Sequence, residues 1–383
     1  MDFVCLKDDL VRGVRLASYA LGTRSSMPIL AGLKMEIGEK ELTLQATDLE
    51  RAVRYAIPIE NSAGEEAVVL NGTVFNQIAS HLPADEKISL TTDAEESTMV
   101  KLRCGEASFD LPTLPIEDYP EIPVLPDTKV ASVQAAEFHR GLEQTAFSAL
   151  RAGETTRLNL TGVNLVLKGE HLKMVATNGY RLAVKTIAVD EIHEEGEYLV
   201  EASVLTDLDR VLSQVGKPKV DFYRGEGQLF FHADDVTFMA RTIAEEFPDF
   251  ERVIPQDNSI ALDFDRKAFL EALQRIEITA AEDSGAITVH ATADESAVQI
   301  DSSSKDKGKA RERVRLKKVP GESVEISFRG EYIVDALKRL DSDEVKLWLA
   351  APEKAGLIEP SGDALAEGDQ GFLYVCMPVR LSA

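Results

Sequence analysis

Histidine is the side chain best suited to proton transfer or metal binding near neutral pH, and this chain has six, at positions 81, 139, 171, 193, 232 and 290. No two stand at the i, i+4 spacing that puts ligands on one helix face, and no Cys-x-x-Cys accompanies them, so no metal set is expected. Cys5, Cys104 and Cys376 are odd in number and far apart. That spacing argues against a disulfide framework and suits a reducing cytoplasm. Glu50, Asp118 and Glu246 fall near loops with recognisable motifs, yet no general acid–base pair stands out among 66 acidic residues. The nearest approach to a phosphate-binding loop is Gly216-Lys217, with Val211 at the first glycine position and Pro218 where Ser or Thr belongs. Gly225-Glu226-Gly227 lacks the third glycine of a dinucleotide fingerprint. The expectation is a chain with no catalytic residues, no metal and no cofactor.

The composition sets further bounds. With 44% hydrophobic and 28% charged residues over 383 positions, the chain can bury real cores and fits two to three domains. The start, MDFVCLKDDL, lacks the basic and apolar regions of a secretory signal, and no apolar run reaches membrane-spanning length. Two sequons, at Asn71 and Asn159, carry no weight without a secretion route. A net charge of −24 is wrong for a protein that grips DNA by neutralising phosphates. Any DNA contact should be local and weak.

The elements that would position these residues come in threes. Ala46-Thr47-Asp48-Leu49-Glu50-Arg51 reappears as Ala176-Thr177-Asn178-Gly179-Tyr180-Arg181, each after a strand-like alternation. FDLPTLPIEDYPEIP from Phe109 is echoed by FMARTIAEEFPDFERVIP from Phe238. Amphipathic helices are predicted over 6–21, 134–150 and 265–281, with Leu6, Leu10, Val14 and Leu21 on the apolar face of the first. A second helix recurs at 73–82, 203–212 and 331–340, each followed by a β-rich run: KISLTT, KVDFYR and VKLWLA. Three α+β domains follow, 1–125, 126–254 and 255–383, each about a third of the 383 residues. Residues 301–313 are expected as an exposed loop or hairpin tip. Residues 351–371 are expected as a flexible connection before a last strand over 372–379.

Pro28-Ile29-Leu30, ATDLER at 46–51, TLPIEDYP at 113–120, ATNGYRLAV at 176–184, FPDFERVIP at 247–255 and YVCMPVRL at 374–381 together resemble the bacterial DNA polymerase III β subunit, the replicative sliding clamp. Each motif alone is weakly specific, but the six occur in the family's order along essentially the whole chain. The resemblance implies three tandem clamp domains, each with two helices and two small antiparallel sheets, closing head-to-tail with a second copy into a ring around duplex DNA. A ring holds DNA topologically, which reconciles DNA with the acidic charge, and joining sheets between domains and subunits removes exposed edges.

By motif position the resemblance implies a partner-peptide pocket of Leu160, Thr177, Gly179, Tyr180, Arg181, Leu182, Pro248, Val253, Val375, Met377, Pro378, Val379 and Arg380, with Tyr332 and the rim arginines Arg157 and Arg252. Leu and Phe anchors would suit its apolar lining, and basic residues would orient the peptide. Arg24 matches a DNA-contacting loop arginine of the family, and Arg12, Arg15, Arg210, Lys338 and Arg339 are the candidate DNA-facing residues on helices. Phe109 and Leu111, against Ile276 and Ile278, are the candidate dimer contact.

Several positions depart from the family pattern. Tyr180 stands where histidine is common and Asn178 where aspartate is common. Ala355 falls near a small hydroxyl position, and Ser382-Ala383 extends past the usual end. The first copy's ATDLER is expected to have no turn like the one at Gly179 and to be purely structural. Implied partners are duplex DNA, a second copy, the polymerase III catalytic subunit, the clamp loader, and other polymerases and repair proteins carrying clamp-binding peptides; no membrane is implied. The implied location is the cytoplasm, at the nucleoid during replication. Two other readings stay open: a hydrolase on repeated domains, which needs converging carboxylates with a shifted pKa, and a protein-interaction scaffold that never meets DNA.

Overall fold

The computed structural model describes residues 2–22, 26–63, 67–83, 86–92 and 98–380. Among these residues six α-helices appear in three pairs: α1 (Lys7–Ala17), α2 (Gly72–His81), α3 (Ala135–Thr145), α4 (Ala202–Val215), α5 (Arg266–Glu277) and α6 (Gly330–Leu337). They sit where the repeat predicts, one or two turns shorter for the first of each pair. Leu6 ends the preceding strand and is exposed, so the buried face of α1 begins at Leu10 and continues through Val14 and Ala17. Side-chain caps fix two of the starts: Asn71 accepts from the Val74 amide and Asp265 from the Ala268 amide, each satisfying an amide that has no partner inside its helix.

The chain folds as two compact units. The first comprises residues 1–135, 190–194 and 204–242, and the second residues 136–189, 195–203 and 243–383. In the first unit one antiparallel sheet runs through strands of both the first and the second sequence copies. They meet where Arg51–Pro58 pairs with Val236–Arg241, in the register Arg51↔Ala240, Ala52↔Met239 and Val53↔Phe238. In the second unit an eight-stranded sheet joins second-copy and third-copy strands the same way. There Arg181–Ala188 pairs with Phe372–Cys376, in the register Arg181↔Cys376, Leu182↔Val375 and Ala183↔Tyr374. A four-stranded sheet in the order 308–315, 297–304, 286–291, 324–329 completes that unit. Its inner face, with Ile287, Val289, Ile300 and Phe328, shares one core with Phe269 and Leu273 of α5 and Ile333 and Leu337 of α6. Joined sheets satisfy backbone groups that separate small sheets would leave at an edge.

Two expectations change. Residues 301–313 lie mostly in a regular hairpin, Ala297–Ser304 with Gly308–Arg315, and only 305–307 form the turn. Within 351–371, Gly356–Ser361 is a paired strand between Glu344–Leu349 and Phe372–Cys376, followed by a 3₁₀ turn at Glu367–Asp369. The last strand stops at Cys376, short of 379, although Pro378 still bridges Phe328 and the Val379 amide donates to Ser327 O. Pro378 has no N–H to continue a ladder.

Candidate functional site

The turn between the two central strands of the second copy is built by its own side chains. Thr177 Oγ1 donates to Arg181 O at 2.6 Å and accepts from the Gly179 amide at 3.1 Å. Asn178 Oδ1 accepts from the amides of Tyr180 and Arg181, at 2.9 and 3.0 Å. Gly179 closes the turn with φ +88°, a region that costs other residues strain. Side chains of Thr and Asn are suited to such local bonding, so the sequence Thr-Asn-Gly encodes the turn. Tyr180, two-thirds exposed, stands at its tip, and its carbonyl accepts from the Met377 amide at 2.8 Å.

Below the tip, Leu182 and Val375 face each other across paired strands and are buried with Val175 and Val184. Phe247, Phe250 and Ile254 of the connecting segment cover this floor together with Ala355 and Leu357. The segment is tied to the Leu158–Leu160 turn by Asn159, whose Nδ2 donates to Glu246 O at 2.9 Å and whose amide donates to Glu245 at 3.1 Å. Leu160 is buried, and its carbonyl accepts from the Leu150 amide. Tyr180 and Met377 stay exposed beside this buried apolar floor, Val253 is exposed between Phe250 and Ile254, and Leu158, which the motif positions did not suggest, is exposed next to Asn159. An apolar surface of this kind, bordered by polar groups, marks a site for a partner.

The other predicted pocket residues divide. Thr177 and Gly179 shape the turn. Tyr332 receives the Asn178 Nδ2 hydrogen bond on its hydroxyl, at 3.2 Å. Arg181 is not a free rim cation: its side chain is 11% exposed, paired with Asp335 at 2.7 Å and donating to Phe147 O at 2.6 Å. Its guanidinium also lies over the rings of Tyr332 and Phe147, at 4.6 and 5.2 Å. Arg157 and Arg380 are exposed, and Arg252 is exposed and paired with Asp249 at 2.7 Å. Pro378 and Val379 are half-buried beside the Val324–Arg329 strand. Pro248 lines a cavity of about 650 Å³ with Val166, His171 and Lys173. Ser382 and Ala383 lie outside the described residues. Cys376 is fully buried and its thiol is pushed up to about 12 by burial, so it is no nucleophile at neutral pH.

The first copy holds the same turn, contrary to expectation. Thr47 Oγ1 donates to Arg51 O and accepts from the Leu49 amide, Asp48 Oδ1 accepts from Glu50 and Arg51, and Leu49 takes φ +78° without being glycine. The sequence hid it because leucine seldom adopts that conformation.

Of the candidate DNA-facing residues, Arg24 lies outside the described residues. Arg12 donates to the carbonyls of Gln214 and Val215 at the end of α4, and Arg15 to the Gln214 side chain. Arg210 pairs with Asp207 at 2.8 Å, and Arg339 covers Phe147 at 4.0 Å. The Lys338 side chain is exposed. Among the candidate dimer residues, Ile278 is 69% exposed, but Ile276 is 1% exposed in the core of its own unit and so, contrary to expectation, offers no contact surface. Phe109 is half-buried and Leu111 buried on Ala107–Leu114, a strand whose 107–112 stretch pairs only with Met99–Cys104 among the described residues.

Repeats joined by strand pairing, with an exposed apolar surface at one junction, define a tandem-domain protein of the binding kind. Comparison with known proteins gives the family. Models of the DNA polymerase III beta subunit match its N-terminal domain at residues 1–123, its central domain at 132–249 and its C-terminal domain at 251–380. A beta sliding clamp of Staphylococcus aureus is 28% identical over 99% of both chains. The solved DNA polymerase sliding clamp of Bacillus subtilis superposes over all of both chains with TM-score 0.90 and 26% identity. The DNA polymerase III beta subunit of Thermotoga maritima does so with TM-score 0.89 and 27% identity. The chain belongs to the DNA polymerase III β subunit family, and its function is that of a DNA sliding clamp, a processivity factor and not an enzyme.

Proposed function

We propose that two copies of this chain close into a ring around duplex DNA, and that the surface around Tyr180 receives short peptides from polymerases and other replication and repair proteins. The observation that carries the pocket is the exposed trio Tyr180, Val253 and Met377 over the buried Leu182–Val375 floor. Buried aliphatic floors with exposed aromatic or Met walls suit Leu and Phe anchors, and Arg157 and Arg252 add basic charge nearby.

Ring closure draws support from unpaired edges. Among the described residues, 107–112 have one free side, and Gly308–Arg315 is the outer strand of its sheet. Strand 107–112 presents exposed Ser108 and Asp110, whereas Gly308–Arg315 presents exposed Lys309, Arg311, Arg313 and Arg315. Asp110 and the basic side chains Lys309 and Arg311 favour pairing one edge of one copy with the other edge of a second, with Ile278 and Phe109 contributing apolar area. The basic hairpin then serves assembly. Tethering to DNA places the working protein in the cytoplasm, at the nucleoid.

Retention on circular DNA tests this reading. The chain, loaded by a clamp loader, should stay on a nicked circle and leave once the DNA is linearised. It should sediment at twice 42.0 kDa. Equal retention on both forms, or a persistent monomer at micromolar concentration, would leave a protein scaffold that never encircles DNA.

A further inference from the structure

We propose that Asp335 and Phe147 are positioning residues for the peptide pocket, acting through Arg181 on the turn that carries Tyr180. The inference rests on the pocket reading above.

Arg181 is the hinge point of that turn. Its carbonyl and amide are both bound by the turn's own side chains, Thr177 and Asn178, and it is the first residue of a strand paired to Cys376. Met377, the residue just past the end of the opposite strand, is a wall of the proposed pocket, and its amide donates to Tyr180 O. Whatever holds the Arg181 side chain therefore sets the height and tilt of both exposed walls. Asp335, in the middle of α6, supplies the charge, and Phe147 supplies a carbonyl and a ring face. Tyr332, one turn earlier on α6, stacks on the guanidinium and holds Asn178, and is itself fixed by Tyr374, whose hydroxyl donates to Tyr332 O at 2.7 Å. Arg181 Nε is buried without a hydrogen-bond partner. Removing Asp335 would thus leave a buried cation held by the Phe147 carbonyl, the Tyr374 hydroxyl and two ring faces, with no carboxylate to balance its charge, a state costly enough to rearrange the turn.

The molecule contains its own control. Arg51 pairs with Asp207 on α4 as Arg181 pairs with Asp335 on α6, at a turn with the same hydrogen bonds. There the residues matching Tyr180 and Met377 are Glu50 and Arg241, which pair with each other at 3.4 Å. A purely structural latch should behave alike in both places. A positioning latch should matter for peptide only at Asp335.

The test uses the full chain and a fluorescein-labelled peptide bearing a Leu-Phe anchor pair, followed by anisotropy, with hydrogen exchange of residues 177–182 measured in parallel. Asp335→Asn and Asp335→Ala should weaken binding tenfold or more and speed amide exchange at Gly179 and Tyr180. Asp335→Glu should recover part of the affinity. Asp207→Ala should leave peptide binding within twofold of wild type. The inference is overturned if the Asp335 variants bind like wild type, or if Asp207→Ala weakens binding equally. A wild-type chain that fails to bind the peptide removes the pocket reading itself, and the inference with it.

Discussion

The turns at Thr47–Arg51 and Thr177–Arg181 share one backbone plan and differ in what they display. Both use a threonine hydroxyl and an Asx side chain to close the turn, and both end in an arginine paired to an aspartate at the same position of the following copy's second helix. In the first unit the floor is Ala52 with Met239 and Phe230, covered by Ile122, Leu125 and Tyr223, and the tip is closed by the Glu50–Arg241 ion pair. In the second unit the floor is Leu182 with Val375, and the tip presents Tyr180 and Met377 to solvent. The frame occurs twice, and a few side-chain differences leave one tip apolar and open, the proposed docking surface, and close the other with an ion pair. Surface ion pairs contribute little stability, so the seal at Glu50–Arg241 acts mainly by making the tip polar.

The largest expected effect separates packing from display. Leu182→Ala and Met239→Ala remove comparable buried volume from the two floors, and each should cost about 2–5 kcal/mol in urea unfolding. Only Leu182→Ala should also weaken peptide binding, by tenfold or more in anisotropy titrations. If Met239→Ala weakened it as much, the two frames would not be functionally distinct.

A smaller contrast concerns the first helix of each unit's own pair. Ser18 follows α1 and returns its hydroxyl to Val14 O at 2.7 Å, whereas the matching residue after the core positions of α5 is Glu277. Burial, reinforced by Glu331 and Asp335 and opposed by Lys338, pushes the Glu277 carboxyl up to about 7. Its folded pKa thus lies above the unfolded value of about 4.3. Between those values the folded state holds a proton that the unfolded state has released, so stability falls as pH rises through this window. Glu277→Gln should be more stable than wild type above pH 7, with the difference vanishing toward about pH 4.3. Urea midpoints across that range check this, and a difference independent of pH would assign the effect to packing instead.

Much of this comparison could be read in the sequence, because helix periodicity and repeated motifs report local physics. The three helix pairs and the strand pattern of ATDLER and ATNGYR follow from hydrophobic spacing alone. The missed strand 356–361 lies among Gly, Pro and acids, and forms because it fills a slot between Glu344–Leu349 and Phe372–Cys376, the strands on either side of it in the chain. The motif places Arg181 in the pocket by its type and not by its neighbours, and Phe147 and Asp335 are brought to it only by folding. A signal existed: Asp207 and Asp335 occupy the same place in α4 and α6, as Arg51 and Arg181 do in their turns. Ile276 was misplaced because one residue of helix phase separates core from surface, and Ile278 lies just past the end of α5.

The smallest effect tests the frame itself. Gly179 and Leu49 hold the same left-handed turn position, at φ +88° and +78°. A Cβ at Gly179 would meet nothing within 4 Å, so Gly179→Ala carries only backbone strain, about 1 kcal/mol. Leu49→Gly relieves similar strain, but glycine adds about 0.5–1 kcal/mol of unfolded-chain entropy to be lost on folding. Leu49 is also 43% exposed, so little burial is forfeited. The two changes should be unequal: a clear destabilisation at 179 and a near-zero effect at 49 in urea unfolding. Because the turn at 49 has no apolar wall to hold in place, leucine's strain there costs stability without costing binding. At 179 strain would also disturb Tyr180, so Gly179→Ala should weaken the peptide several-fold. Equal stability changes at both sites, with peptide binding untouched, would mean that backbone conformation at this position does not govern the pocket.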